Sequence, residues 1–177
     1  MNAEMLVVRA QQGDKDAFVQ LIKGMESSLY KVSKAILLSD SECLDAVQET
    51  ILIAYTTIHQ VREPKFFKTW ITRILINECN KIRKAQSKVV NMDHYLEPAA
   101  MNEHREDIVD LQTAIHSLES DLRTVITLYY YEDLSIKEIG TVLDIAAGTV
   151  KSRLNRARTK LGSFLDGNQV EGRFVHE

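Results

Sequence analysis

Chain-breaking residues are scarce: the 177-residue sequence holds two prolines and seven glycines, which leaves the backbone free to run in long helices. Cysteine is scarcer still. Cys43 and Cys79 stand isolated among helix-patterned residues, so a disulfide framework is excluded and both read as reduced, packed thiols. The five histidines lack metal-ligand spacing, and no glycine-rich phosphate loop, metal cluster or nucleophile motif is present. An enzyme is therefore not expected, nor a bound metal or cofactor. Long apolar runs are missing too. None approaches the roughly 18 residues of a membrane span, and the opening "MNAEMLVVRAQQGD" has no basic region followed by an apolar stretch. A cytoplasmic protein without direct membrane insertion is the expectation.

What the sequence does have is helical periodicity. Apolar residues recur at three- and four-residue intervals through most of its length, and no convincing alternating strand interrupts them, which predicts an all-α fold. The exception is "SKVVNMDHYLEPAAMNEHRED", residues 87–107, where the apolar residues follow no period and a proline intervenes. From Val89 to Asp107 this stretch carries five acids against one arginine, a net of -4, as a solvated acidic linker would. The expected organisation is two small helical domains, 1–86 and 108–166, joined by a flexible acidic linker over 87–107 and followed by a tail, 167–177.

Charge is unevenly distributed. The formal net charge is -3, yet five basic residues and no acid lie between Ile145 and Leu165. Just upstream, in "LSIKEIGTVL", Ser135 precedes Glu138 by three residues, a reciprocal capping box that starts a helix with Ile136, Ile139, Val142 and Leu143 on its apolar side. A short connection around residues 144–147 leads into a second helix, which is the helix-turn-helix pattern. At about 100° per residue, Val150, Leu154, Ala157 and Leu161 fall within about 40° of one another and form a buried stripe. Opposite lie Thr149, Ser152, Asn155, Arg156 and Thr159. Lys151 and Arg158 project to one flank, Arg153 and Lys160 to the other. A helix seated in a DNA major groove needs this layout, with hydrogen-bonding side chains toward base edges and flanking cations toward phosphates.

The first half is sorted by charge in a different way. "SDSECLDAVQETILIAYTTIH" has four acids and no lysine or arginine, and Ser39 with Glu42 forms a further possible capping box. "KFFKTWITRILINECNKIRKAQSK" has seven basic residues and one acid, Glu78. The first helix suits a basic protein surface and the second suits nucleic acid. In the basic helix Ile71, Ile74, Leu75, Cys79 and Ile82 mark the apolar stripe. Trp70 lies beside it, so its ring either packs into the core or meets an unstacked base. Of Phe66 and Phe67, one is expected to turn inward and the other toward the preceding loop.

These segments resemble the extracytoplasmic-function sigma factors of bacterial RNA polymerase. "YEDLSIKEIGTVLDIAAGTVKSRLNRARTKL" resembles their promoter-recognising C-terminal domain, most closely at "GTVKSRL" and "RAR". "SLESDLRTVITLYYYEDLS" resembles the stretch before it, with Glu119 where proline is usual. One departure is Ala146–Ala147 ahead of "GTV", where the family commonly has a Ser or Pro; alanine supplies no capping side chain. The resemblance implies that Thr149, Lys151, Ser152, Arg153, Asn155, Arg156 and Arg158 contact the -35 element.

"DAVQETILIAY" resembles the family's helix that binds the clamp helices of the polymerase largest subunit, which makes Asp45, Gln48, Glu49 and Leu52 candidate core-binding residues. "FKTWITRILINECNKIR" resembles the element that recognises and opens the -10 region. Opening DNA costs a few kcal/mol of unstacking, recoverable only by holding the separated strand and its bases. Lys65, Lys68, Arg73, Lys81 and Lys84 are the candidates for the backbone, Asn77 and Asn80 for base edges, Phe66 and Trp70 for stacking, and the loop "VREPKFF" for a pocket around a flipped base. The resemblance further implies an anti-sigma partner and passage of the acidic linker through the RNA exit path, although a plain tether would look the same. The alternative reading is a free-standing helix-turn-helix regulator, which leaves the acidic helix, the basic helix and the linker unexplained.

Overall fold

The computed structural model describes residues 2–90 and 106–171; the expected linker falls largely outside the described residues, as does the end of the tail. Every element among the described residues is helical: α1 (Ala3–Gln11), α2 (Lys15–Ile36), α3 (Asp40–Thr57), α4 (Phe67–Val90), α5 (Glu106–Ser117), α6 (Ser120–Tyr130), α7 (Ile136–Leu143) and α8 (Ala147–Glu171), with short 3₁₀ turns at Ile58–Gln60 and Pro64–Phe66. Three helices overrun the expected boundaries. α4 continues to Val90, α5 starts at Glu106 and α8 runs to Glu171. The chain divides into two compact units, one holding α1–α4 and the other α5, α6, the first part of α7, and α8.

In the first unit the turns are set by identifiable side chains. Gly13 takes a φ of 91° between α1 and α2, a left-handed conformation that costs glycine least. Asp14 then caps α2, accepting from the Ala17 N–H at 3.0 Å, while Arg9 holds the same carboxylate from Nε at 2.9 Å and from a terminal nitrogen at 2.6 Å. The Ala17 amide, and after it the Arg9 guanidinium, hold the Asp14 carboxyl below the usual aspartate range. Gln11 reaches from α1 to the segment after α3, donating to the Ile58 and Val61 carbonyls at 3.2 and 2.7 Å. Ser39 stands at the start of α3 but does not form the capping box its spacing suggests. Its hydroxyl pairs with that of Ser41 at 2.9 Å, and Glu42 instead accepts a hydrogen bond from Gln86 of α4.

The core explains why α4 tolerates so much charge. Ile71, Leu75 and Cys79 are fully buried, joined by Phe67 and Ile76, and α4 packs against both α2 and α3. Each such large side chain contributes about 1.5–3 kcal/mol, so the cations opposite are not needed to hold the helix in place. Two residues of the expected stripe, Ile74 and Ile82, are only half-buried, and Ile76 and Thr72 are buried instead. The reason is that α2 and α3 cover a broad face shifted from the one a single neighbour would cover. Phe67 turns inward and Phe66 is 46% exposed, as the sequence suggests for that pair. Burial pushes both cysteine thiols up, that of Cys79 to about 12, so both rest as neutral thiols in the core.

In the second unit the Ser135–Glu138 box forms in both directions: the Ser135 N–H donates to the Glu138 carboxylate at 2.8 Å, and the Glu138 N–H to the Ser135 hydroxyl at 3.2 Å. α7 is stopped three residues before α8 begins. Asp144 takes a φ of 55°, and the Ile145 N–H closes back on the Gly140 carbonyl at 3.0 Å, the six-residue bond of a Schellman turn. A side chain at Gly140 would bring a Cβ within 2.9 Å of the Ile145 carbonyl oxygen, so the tightness of this turn depends on glycine there. Ala146 occupies the N-cap position of α8, its carbonyl accepting from the Thr149 and Val150 amides at 2.9 and 3.1 Å. Arg123 is buried and finishes α5, donating to the His116 and Leu118 carbonyls at 2.9 and 3.1 Å.

Candidate nucleic-acid interface

α8 lies in the second unit with its faces sorted as its sequence predicts. Val150, Leu154 and Ala157 are buried against the rest of the unit, whereas Leu161, at the edge of the stripe, is half-buried. Thr149, Ser152, Asn155, Arg156 and Thr159 are all exposed. The Ser152 hydroxyl donates to the Thr149 carbonyl at 2.9 Å, so it faces outward chiefly as an acceptor, while Asn155 and Arg156 present donors.

The flanking cations are not equivalent. Arg153 is turned to α6, where it pairs with Asp121 at 2.8 Å. Arg158 donates from Nε to the Tyr130 hydroxyl at 2.9 Å and lies over the Tyr129 and Tyr130 rings, 5.6 Å from each centroid. Lys160 pairs with Glu119 at 2.7 Å, and the same carboxylate stands 4.0 Å from the Arg156 guanidinium. Lys160 above all, and Arg156 more weakly, hold the Glu119 carboxyl below the usual glutamate range. Lys151 is exposed and meets no partner among the described residues. Of the cations expected to grip phosphates, Arg153 and Arg158 thus also dock α8 onto α6. The residues that engage them, Asp121 and Tyr130, carry no signal in the sequence, where Glu119 stands out only as a departure from a pattern. Asp121 and Tyr130 lie on α6 and Glu119 is its N-cap residue, so periodicity along α8 gives no sign of them.

In the first unit the nine residues expected at the -10 element separate into two places. Arg73, Asn77, Asn80 and Lys84 fall within about 60° on α4. Asn77, Asn80, Lys81 and Lys84 line an open groove of about 530 Å³ against Ile53 of α3, with Ile74 on its wall. Glu78 lies in the same groove, nearly buried, and takes the Lys81 ammonium at 2.7 Å. The groove therefore combines two amides, two cations, one of them paired with the Glu78 carboxylate, and an apolar wall, groups suited to holding a strand and its bases.

Lys65, Phe66 and Lys68 sit apart from it, at the turn into α4. Lys65 pairs with Glu63 at 2.8 Å and lies 4.8 Å from the Phe66 ring centroid. Beside this turn is a hollow of about 370 Å³, lined by Pro64, Lys65, Phe67 and Lys68 on one side and by α1 and α2 on the other. That is where the sequence expects a pocket around a flipped base. Trp70 is half-buried, its ring 5.8 Å from that of Phe67, so it belongs partly to the core.

α3 carries the third candidate surface. Asp45, Gln48, Glu49 and Leu52 are all exposed, and the spacings 45–48, 45–49, 48–52 and 49–52 are of three or four residues, so they share a face. Leu52 is 61% exposed, and Leu44, one position before the segment that carries the resemblance, is 53% exposed on an adjoining row. This face thus sets two large apolar side chains in water among carboxylates, which makes it a candidate protein-binding surface. No helix among the described residues is long and apolar enough to cross a membrane.

Comparison with known proteins places each unit. Residues 16–88 match the family described as Sigma-70 region 2, and residues 108–161 match Sigma-70, region 4. The ECF RNA polymerase sigma-E factor of Haemophilus influenzae is 33% identical over 172 residues, covering 88% of this chain and 90% of that protein. The ECF RNA polymerase sigma factor SigW of Bacillus subtilis is 30% identical over 172 residues, covering 88% and 92%. Among solved structures, the sigma factor RpoE in complex with the anti-sigma factor NepR from Bartonella quintana aligns with a TM-score of 0.72 at 26% identity, covering 84% of this chain and 96% of that one.

Proposed function

The chain belongs to the extracytoplasmic-function sigma factors of the sigma-70 family, dissociable subunits that confer promoter specificity on RNA polymerase, and from that premise we propose how its surfaces divide the work. It acts in the cytoplasm and has no chemistry of its own, the polymerase being the enzyme. The exposed α3 face with Asp45, Gln48, Glu49 and Leu52 docks on the clamp helices of the polymerase largest subunit, where carboxylates meet a basic surface and the leucine is desolvated. The α4 groove, with Asn77, Asn80, Lys81 and Lys84, and Arg73 beside it, holds the separated strand of the -10 element. The Lys65–Lys68 turn and its hollow receive an unstacked base.

In the second unit Arg156, with Asn155, Ser152 and Thr149 around it, reads base edges of the -35 element, and Lys151 grips a phosphate. Arg153 and Arg158 set the pose of the helix as well as adding positive potential. The observation that carries this reading is the sorting of α8, an exposed row of short polar groups around one arginine on a helix whose opposite face is buried. By likeness to the relative solved with its anti-sigma factor, this chain is held inactive by an anti-sigma partner until a stress or envelope signal releases it.

The test is reconstitution. Purified chain added to core polymerase should co-elute with it and yield transcripts from a restricted set of start sites, and Arg156→Ala should weaken -35 recognition by about 1–3 kcal/mol if the arginine is bidentate to guanine. Tight operator binding by the free chain, with no change in start-site selection, would instead make it a stand-alone helix-turn-helix regulator.

A further inference from the structure

Glu119 occupies the N-cap position of α6, with φ -55° and ψ 143°, yet its side chain makes no capping hydrogen bond. The carboxylate crosses to α8 instead, 2.7 Å from Lys160 Nζ and 4.0 Å from the Arg156 guanidinium. Among the described residues Arg156 is the one cation in the middle of the exposed polar face of α8, so an acceptor beside it competes with whatever α8 binds. All three side chains are well exposed, Glu119 at 62%, Arg156 at 64% and Lys160 at 48%, so the contact is screened and can be displaced.

We propose that Glu119 is a specificity-determining residue: its carboxylate stands in for a phosphate, occupying Lys160 and drawing on Arg156 until a correct base sequence displaces it. The proposal rests on the reading that α8 enters the major groove. Affinity for random DNA comes from the number of phosphates neutralised. On such DNA Lys160 must give up a contact it already has, so its gain is small. At a correct site Arg156 exchanges a 4.0 Å contact for a paired hydrogen bond to a base, and the competitor is overcome. Glu119 therefore depresses unselective binding more than promoter binding. A purely structural Glu119 would steady α8 against the start of α6 and leave discrimination unchanged.

The experiment compares full-length wild type with Glu119→Gln, which keeps the shape and removes the charge. Fluorescence anisotropy is measured over a salt series on a random-sequence duplex and on the promoter duplex the holoenzyme uses best. Glu119→Gln should bind the random duplex about threefold to tenfold more tightly, with a salt slope steeper by about 0.9, the signature of one further phosphate. The ratio of promoter to random affinity should fall. The gain should vanish when Lys160 and Arg156 are both replaced by glutamine. Glu119→Ser, which returns a capping hydroxyl to α6, should reproduce the effect and serves as the second variant if Glu119→Gln unfolds. Unchanged affinity and slope in folded variants would overturn the proposal while leaving α8 as the DNA-reading helix. Failure of wild type and variant alike to bind either duplex, free or in holoenzyme, would remove that reading of α8 and the proposal with it.

Discussion

Arg158 of α8 donates to the hydroxyl of Tyr130 on α6 at 2.9 Å, with its guanidinium 5.6 Å from the centroid of the same ring. A charge-assisted hydrogen bond and a cation–π contact fix the guanidinium on its own protein, so its first role is to hold α8 on α6. Replacing Arg158 by alanine is expected to lower the stability of the second unit by about 1–2 kcal/mol. Lys151→Ala, at an exposed residue, should leave the melting midpoint nearly unchanged but reduce the salt slope of promoter binding by about 1. The two profiles, read by thermal melting and salt titration, should be opposite.

The N-cap of α8 is an alanine whose carbonyl already accepts the Thr149 and Val150 amides. Ala146→Ser adds a side-chain acceptor for an amide left over in the first turn and should stabilise the second unit by about 1 kcal/mol. A rise in its unfolding midpoint in denaturant is the measurement, and a fall would show that serine prefers a conformation other than the cap.

Leu52, at 61% exposure, contributes little to the core. Leu52→Lys should change stability by no more than about 0.5 kcal/mol. If α3 docks on a basic polymerase surface, the same change should weaken co-elution with core polymerase about tenfold or more, since a buried leucine is replaced by a like charge. Equal binding by the variant would move the docking face elsewhere.

Asp14 gives an acid-sensitive contact. Its carboxyl is held below the aspartate reference value of 3.8 by the Ala17 amide and then by Arg9. A depressed folded-state value means that this contribution is complete above the unfolded value and is lost as pH falls through the folded one. Asp14→Asn keeps a cap but cannot ionise. Unfolding midpoints of the two proteins should therefore run parallel from pH 8 down to about 5 and converge as pH drops below about 4. A constant difference across that range would show that Asp14 does not titrate with folding.

Much of the site was legible because it is written within single helices. The buried row of Val150, Leu154 and Ala157, the row of exposed Asn77 and Lys84 with half-buried Asn80, and the exposed face of Asp45, Glu49 and Leu52 all follow from a fixed rotation per residue. Where a second element intervenes, that logic stops. Ser39 has the spacing of a capping residue, but Ser41 and Gln86 engage it and its partner Glu42. Ile74 has the spacing of a core residue, but the helices over it leave it on a groove wall.

By itself the sequence determined the helical class, the start of α7, the sorting of α8 into a buried and an exposed face, and the segregation of acid onto α3 and base onto α4. Those are properties of a backbone with one repeat and of side chains a few positions apart. Tertiary structure alone decided which cations on α8 face outward and which are engaged. Arg158 and Lys160 find their partners 28 and 41 positions away, and such contacts are made or lost over a few ångströms of helix placement that no local period encodes.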